Sequence, residues 1–248
     1  MNISQVSDML KADFHIHTNE DNRDLITYCA KDLIDCASEK KYEVVALTNH
    51  DIFTYTPELV EYAAGKGILL IPGIESTIEG KHVVILNPRQ DVEAVRTFSD
   101  LREYRKQHPE IFILAPHPYY PHLRKYSLKS YLLKHIDLFD GIEYCHYYTR
   151  IFDHFNSVAK KVASQYGKPL IGTSDSHHIF QLDKTYTMVD SEKNIESVIS
   201  ALRNNRISIV SRPLSFFIYS KAIVFILFKF SIKKIVFLFK RPAPERKN

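Results

Sequence analysis

Asp13-Phe14-His15-Ile16-His17-Thr18, residues 13–18, is the stretch from which the fold of this chain is read. In a β-strand, side chains alternate faces, so His15 and His17 point one way while Phe14 and Ile16 point into the opposite layer. Two imidazoles are thereby brought within reach of one metal ion. By itself a His-x-His pair is a common accident of strands. Five later segments repeat its kind, each placing a His, Asp or Glu just beyond an apolar run. They are Thr48-Asn49-His50-Asp51, Gly73-Ile74-Glu75, Lys81-His82, Ala115-Pro116-His117-Pro118 and Ser174-Asp175-Ser176-His177.

Outward from that stretch, apolar and β-branched runs suited to buried strands lie near residues 12–17, 43–48, 68–74, 82–87, 111–115, 140–145 and 169–173. Helix-like stretches separate most of them: 30–40, 57–66, 92–107, 128–135 and 149–166. Pro57 suits a first helical turn capped by Thr56. Short continuous apolar strands alternating with helices predict a parallel sheet covered by helices. Seven such units over about 200 residues suit a closed barrel better than an open sheet, since ~250 residues is typical of the eight-unit version. The expected fold is α/β, a closed seven-stranded TIM-like barrel over residues 1–211, with residues 212–248 as a separate tail. In such a barrel the strand C-termini converge on one mouth, which would gather the polar residues above.

At 248 residues and 45% apolar composition the chain can bury a full core. No GxGxxG or P-loop pattern occurs, which argues against a nucleotide-binding loop. Cys29, Cys36 and Cys145 are odd in number, lack metal-site spacing, and read as free thiols of a reducing compartment. The N-terminus shows no long apolar run, so no secretory signal is expected. From Arg212 onward there are nine basic residues and one acid, a net +8 that leaves −4 for residues 1–211. The basic character belongs to the tail, and the main domain carries no strong nucleic-acid signature.

His15, His17, His50, Glu75, His82, His117, Asp175 and His177 amount to six imidazoles and two carboxylates in one expected cavity. Left unsatisfied, each buried polar group costs ~1–3 kcal/mol. Several close divalent ions would satisfy them together. His and carboxylate ligands without cysteine suit Zn²⁺, Mn²⁺ or Fe²⁺ in a hydrolytic site. A carboxylate such as Glu75 can bridge two ions, a hydroxide between them serves as nucleophile, and the ions steady charge on a phosphoryl group.

These residues resemble the polymerase and histidinol phosphatase (PHP) family of metal-dependent phosphoesterases, over roughly residues 12–211. The resemblance implies a PHP-type distorted seven-stranded barrel and a trinuclear site. It implies that His15, His17, Glu75 and Asp175 hold the first ion, and Glu75, His82 and His117 the second. His50, His177 and one residue soon after the opening motif would hold the third. The family's usual Asp at that last position is replaced here by Asn22, flanked by Asp21 and Asp24. Asp24 is the favoured ligand because it keeps nearly the usual distance to the helix near Ala30; with neither Asp coordinating, the centre would be binuclear.

Asp13 and Asp51 read as acceptors that orient ligating imidazoles, and Asp51 is counted with His146 among the catalytic candidates. His146 ends the sixth strand, where it would donate a proton to a leaving group, contact substrate, or serve the structure. Arg124 and Lys125, in the loop after His117, are candidates to clamp a phosphate. Their alternative is a solvated charge pair. His108, His122, His135 and His154 lack motif context, and His178 reads as a neighbour of His177.

Residues 216–239 are dense in Phe, Ile, Val and Leu but carry Lys221, Lys229, Lys233 and Lys234. A lysine at the centre of a spanning helix costs roughly 2.5–3.5 kcal/mol. A basic amphipathic helix lying on an anionic membrane surface through residues 215–241 fits better. Packing of that helix against the barrel or a partner is the alternative. The expected setting is cytoplasmic, at the inner face of the membrane. The expected activity is hydrolysis of a phosphoester, on a small phosphorylated metabolite, a nucleotide or a nucleic-acid 5′ end, with two or three divalent ions. An amidohydrolase-like hydrolase and a tethered non-catalytic metal-binding module are the competing readings.

Overall fold

The computed structural model describes residues 9–121 and 125–214. Strand β1 (Leu10–Ile16) lies between β2 (Val44–Leu47), its parallel neighbour, and β9 (Thr185–Val189), which runs antiparallel. With β3 (Leu69–Ile71) and β10 (Ile207–Ser211) they form a sheet ordered β10-β9-β1-β2-β3. The second sheet takes β4 (Gly73–Ile78), β5 (Lys81–Leu86), β6 (Phe112–Ala115), β7 (Gly141–Cys145) and β8 (Leu170–Thr173) in that order.

The fold is mixed α/β, but the closed seven-stranded barrel is not what the described strands make. Two local features account for the difference. The run expected as one strand over 68–74 breaks at Pro72, which has no N–H to give to a ladder; β3 stays in the first sheet and β4 starts the second. Then Ile78-Glu79-Gly80-Lys81 forms a two-residue hairpin with Ile78 opposite Lys81 and positive φ at both Glu79 (48°) and Gly80 (76°), the signature of a primed turn. It turns β5 antiparallel to both β4 and β6. Two isolated bridges, Ile16 to Ser176 and His50 to Glu75, link the two sheets. Both bridges fall on site segments.

Among the described residues, six α-helices cover the sheets: α1 (Ala30–Glu39), α2 (Pro57–Gly65), α3 (Phe98–Gln107), α4 (Ser130–Lys134), α5 (His154–Gln165) and α6 (Ile195–Arg203). Their starts are chemically marked. Thr56 accepts from Leu59 N–H ahead of Pro57, Thr97 and Asp100 form a reciprocal capping box, and Asn194 accepts from Ser197 N–H. The inter-sheet core contains Phe14, Ala46, Val84, Phe112, Leu114 and Ile171, with Val198 and Leu202 of α6 against it. Between Asp13 and Ile16 the register of β1 on β2 slips by one residue, as in a bulge. Phe14 and Ile16 therefore do not share a layer: Ile16 packs with Leu33 and Leu47 beneath α1.

At Gly73 a Cβ would stand 2.8 Å from Leu47 O and 2.9 Å from Thr48 Cγ2. Only glycine lets β4 cross that close to the end of β2, which brings Glu75 to His50. Among the described residues no helix is long and apolar enough to cross a membrane. The tail expected at 215–241 and the phosphate-clamp candidate Arg124 lie outside the described residues.

Candidate metal centre

Glu75, the third residue of β4, is the hub of the site. Its Oε2 stands 2.9 Å from His50 Nε2 and 3.3 Å from the Nε2 atoms of both His15 and His17. Its Oε1 stands 3.1 Å from His117 Nε2 and 2.9 Å from His82 Nδ1. One carboxylate thus faces three imidazoles with one oxygen and two with the other. His82 reaches it because β5 runs antiparallel, so the start of that strand, not its end, lies at the mouth.

Asp175 completes a second face. Its Oδ1 is 3.5 Å from His15 Nε2, 3.4 Å from His17 Nε2 and 3.5 Å from His177 Nδ1. His177 Nε2 in turn lies 3.2 Å from Asp24 Oδ2. His117 and Asp175 both have positive φ, 28° and 44°, a conformation that costs a non-glycine residue and is kept where the surroundings over-determine it.

The donor set fits divalent ions. Ligand atoms held at ~2.0–2.2 Å by a tetrahedral ion stand roughly 3.3–3.6 Å apart, close to the separations among His15, His17, Glu75 and Asp175. Both ring nitrogens of His82 are buried without a hydrogen bond, although Nδ1 is 2.9 Å from Glu75. Four groups bring their ligand atoms together: His15/His17/Asp175, His15/Glu75/His117, His50/Glu75/His82 and His17/His50/His177.

Buried carboxylates orient the imidazoles from behind. Nδ1–H of His15 donates to Glu143 Oε1 at 2.8 Å, which leaves its Nε2 lone pair facing the centre. Glu143, fully buried in β7, also accepts from His117 N–H and the Thr173 hydroxyl. Asp21 Oδ2 accepts from Nδ1 of His17 (3.0 Å) and of His50 (2.7 Å), and from His50 N–H (2.9 Å). Sequence reasoning gave Glu143 no role, and assigned Asp21 only as an alternative ligand.

Two expectations are overturned. Neither Asp13 nor Asp51 hydrogen-bonds to an imidazole. Asp13 Oδ1 accepts from Ser174 N–H (3.1 Å) and His15 N–H (3.4 Å), tying β1 to the end of β8. Asp51, at φ 55°, accepts from Thr77 N–H and Oγ1 and from the Arg23 guanidinium. Its short side chain is engaged by β4 and Arg23, which leaves it no imidazole to orient. His146 is buried at the end of β7, with Nε2 3.3 Å from Gln181 Nε2 and no partner on Nδ1. Lys125 is exposed, its Nζ 5.4 Å from the Tyr126 ring that stacks on His82 at 4.4 Å. His178 stacks on Phe180, and His135 on Phe98.

The electrostatics follow from this packing. Burial opposes charge on His15, yet Asp175, Glu75 and Glu143 outweigh it and hold its imidazole well above the usual range. His17 is raised in the same way by Asp175, Asp21 and Glu75. Burial would raise Glu75, but the surrounding imidazoles, His82 and His15 foremost, hold it well below the carboxylate range. His82 and His146 are instead pushed down to about 4, chiefly by burial. Asp13 is raised to about 7 by burial.

The family model described as PHP-associated matches residues 153–207. Together with the ordered ligand motifs, that match supports a likeness to the PHP family. Among solved structures, the fold of this chain is similar to a two-domain protein from Bacteroides vulgatus containing a predicted PHP-like metal-dependent phosphoesterase. The identity is 24% and the TM-score 0.65, covering 82% of this chain and 65% of that one. It is also similar to PsfC from Pseudomonas syringae (14% identity, TM-score 0.58, 83% and 92% covered). A third is the lesion-specific endonuclease Q of Pyrococcus furiosus (14%, TM-score 0.57, 79% and 56%). The chain therefore spans less than two thirds of the length of the first and third of these proteins. No curated protein matches it.

Proposed function

We propose that this chain is a PHP-family metal-dependent hydrolase of phosphoesters, acting on a phosphorylated metabolite, a nucleotide or a nucleic-acid 5′ end. The observation that carries the reading is the division of Glu75 between two sets of imidazoles, Oε2 toward His15, His17 and His50 and Oε1 toward His82 and His117. His15, His17, Glu75 and Asp175 would hold one ion, and Glu75, His82 and His117 a second. His50, His177 and Asp24 would hold a third. When bound, Zn²⁺, Mn²⁺ or Fe²⁺ supplies activation of water and neutralisation of charge on a phosphoryl group.

The chain's own residues do the rest. Glu143 and Asp21 fix which ring nitrogen of His15, His17 and His50 faces the centre. His146, which burial keeps neutral at physiological pH and whose Nε2 meets Gln181, would contact substrate or accept a proton at the mouth. Lys125, whose Nζ lies over the Tyr126 ring that stacks on His82, would meet an incoming phosphate, and Arg124 is its proposed companion. The test is a panel of phosphomonoesters, phosphodiesters and oligonucleotides run beside amides with added Mn²⁺ or Zn²⁺. Turnover of a phosphoester that Glu75→Ala abolishes supports the reading. Turnover of amides alone overturns it.

A further inference from the structure

Among the described residues, most of the exposed large apolar side chains lie on the loops that build the centre, Leu133 and Tyr166 lying elsewhere. Leu25 (74% exposed) follows Asp24; Ile179 (36%) and Phe180 (54%) follow His177; Ile151 (87%) lies on the loop that leaves β7 after His146. Contacts between site residues tie these loops together: Asp24 to His177 at 3.2 Å, and Gln181 to His146 at 3.3 Å. Singly, such residues are ordinary on a protein surface. Collected around one mouth, they make an apolar rim of the kind that marks an interaction site.

Where the chain goes next says what the rim meets. Leu214 N–H donates to Tyr148 O at 2.8 Å, so the chain leaves the described residues from the same loop that carries Ile151. The 34 residues beyond it, 215–248, are rich in Phe, Ile, Leu and Val and strongly basic. Exposed Arg150 and Arg212 flank this exit. Apolar side chains bordered by cations, beside a basic apolar segment, have the chemistry of an anionic lipid surface.

We propose that the rim of Leu25, Ile151, Ile179 and Phe180 docks on an anionic membrane, so that the centre acts on phosphoesters carried by amphiphiles in that surface. This assignment of substrate class rests on the phosphoesterase reading of the centre; the docking does not. Cations are drawn to the lipid headgroups, while the apolar rim enters the interface and brings the mouth down onto it.

The experiment uses the full chain, the paired variant Ile179→Ser/Phe180→Ser, and Ile151→Ser. Flotation is run with vesicles of phosphatidylcholine alone and of phosphatidylcholine with phosphatidylglycerol. The full chain is expected to float with the anionic vesicles only, and each rim variant to partition roughly tenfold more weakly. With phosphatidic acid in vesicles and p-nitrophenyl phosphate in solution, the ratio of vesicle to soluble turnover is expected to fall in the rim variants. Circular dichroism melts guard against misfolding. Unaltered flotation of folded rim variants overturns the proposal, as does a chain that ignores anionic vesicles or whose rim instead governs oligonucleotide binding. If neither phosphoester is turned over while flotation depends on the rim, the docking stands and the phosphoesterase reading fails.

Discussion

Glu143 Oε1 lies 2.8 Å from His15 Nδ1, and neither side chain reaches solvent. A carboxylate behind an imidazole fixes its tautomer, aims its other nitrogen and raises its basicity as a ligand. Glu143→Gln is expected to weaken metal binding roughly 10–100-fold with little loss of fold, since the amide keeps the shape and loses the charge. Isothermal titration of the metal-stripped variant with Zn²⁺ checks this. Parent-like affinity would show that Glu143 only fills space.

Asp21 and Asp24 divide their work by position. Asp21 is engaged by two imidazoles and backbone N–H groups, whereas Asp24 meets His177. Asp24→Asn is expected to bind one ion fewer at saturation. Asp21→Asn is expected to lower affinity by about 10–100-fold through loss of orientation of His17 and His50. Metal counts by mass spectrometry that show the reverse pattern would exchange the two roles.

Asp13 provides a pH signature of the fold. Burial raises its carboxyl from an ordinary 3.8 to about 7, so the folded state keeps a proton that the unfolded chain gives up above pH 4. Stability from this group is therefore present at low pH, falls as pH rises from about 4 to 7, and changes little beyond. Asp13→Asn retains an oxygen for Ser174 N–H and cannot ionise. Urea unfolding is expected to show the variant gaining on the parent by roughly 2–4 kcal/mol across that window. A difference independent of pH would contradict it.

Gly73→Ala tests the crossing that delivers Glu75. A Cβ there would meet Leu47 O and Thr48 Cγ2 inside van der Waals contact. A destabilisation of about 1–3 kcal/mol is expected, the usual cost of overpacking. An unchanged urea midpoint would mean that β4 is free to shift.

Much of this architecture was legible as continuous apolar runs, because buried strands need them. Six of the seven expected runs are single strands, the fourth at 82–87 lying within a residue of β5, while the third, 68–74, splits at Pro72 into β3 and the start of β4. The expected ligands converge from segments far apart in the chain. What misled was direction. Glu79-Gly80 is a two-residue turn whose chemistry was readable, and overlooking it made β4 and β5 look parallel. The run at 185–189 alternates buried and half-buried side chains, and it was passed over with α6 and β10. Glu143 had no comparable signal: a lone acid inside an apolar strand acquires meaning only when β7 sets it behind His15. Asp13 and Asp51 sit beside ligands in sequence, but neighbours on a strand or a tight turn point apart, and both bond to backbone instead.

The central claim is that Glu75 joins two ion positions, and the metal content of the full chain purified without chelator tests it most directly. About two to three Zn²⁺, Mn²⁺ or Fe²⁺ ions per chain are expected, with Glu75→Ala losing more than one of them at once. A parent chain with less than one ion that takes up neither Mn²⁺ nor Zn²⁺ on addition would contradict it, as would a Glu75→Ala variant that keeps the parent's full complement.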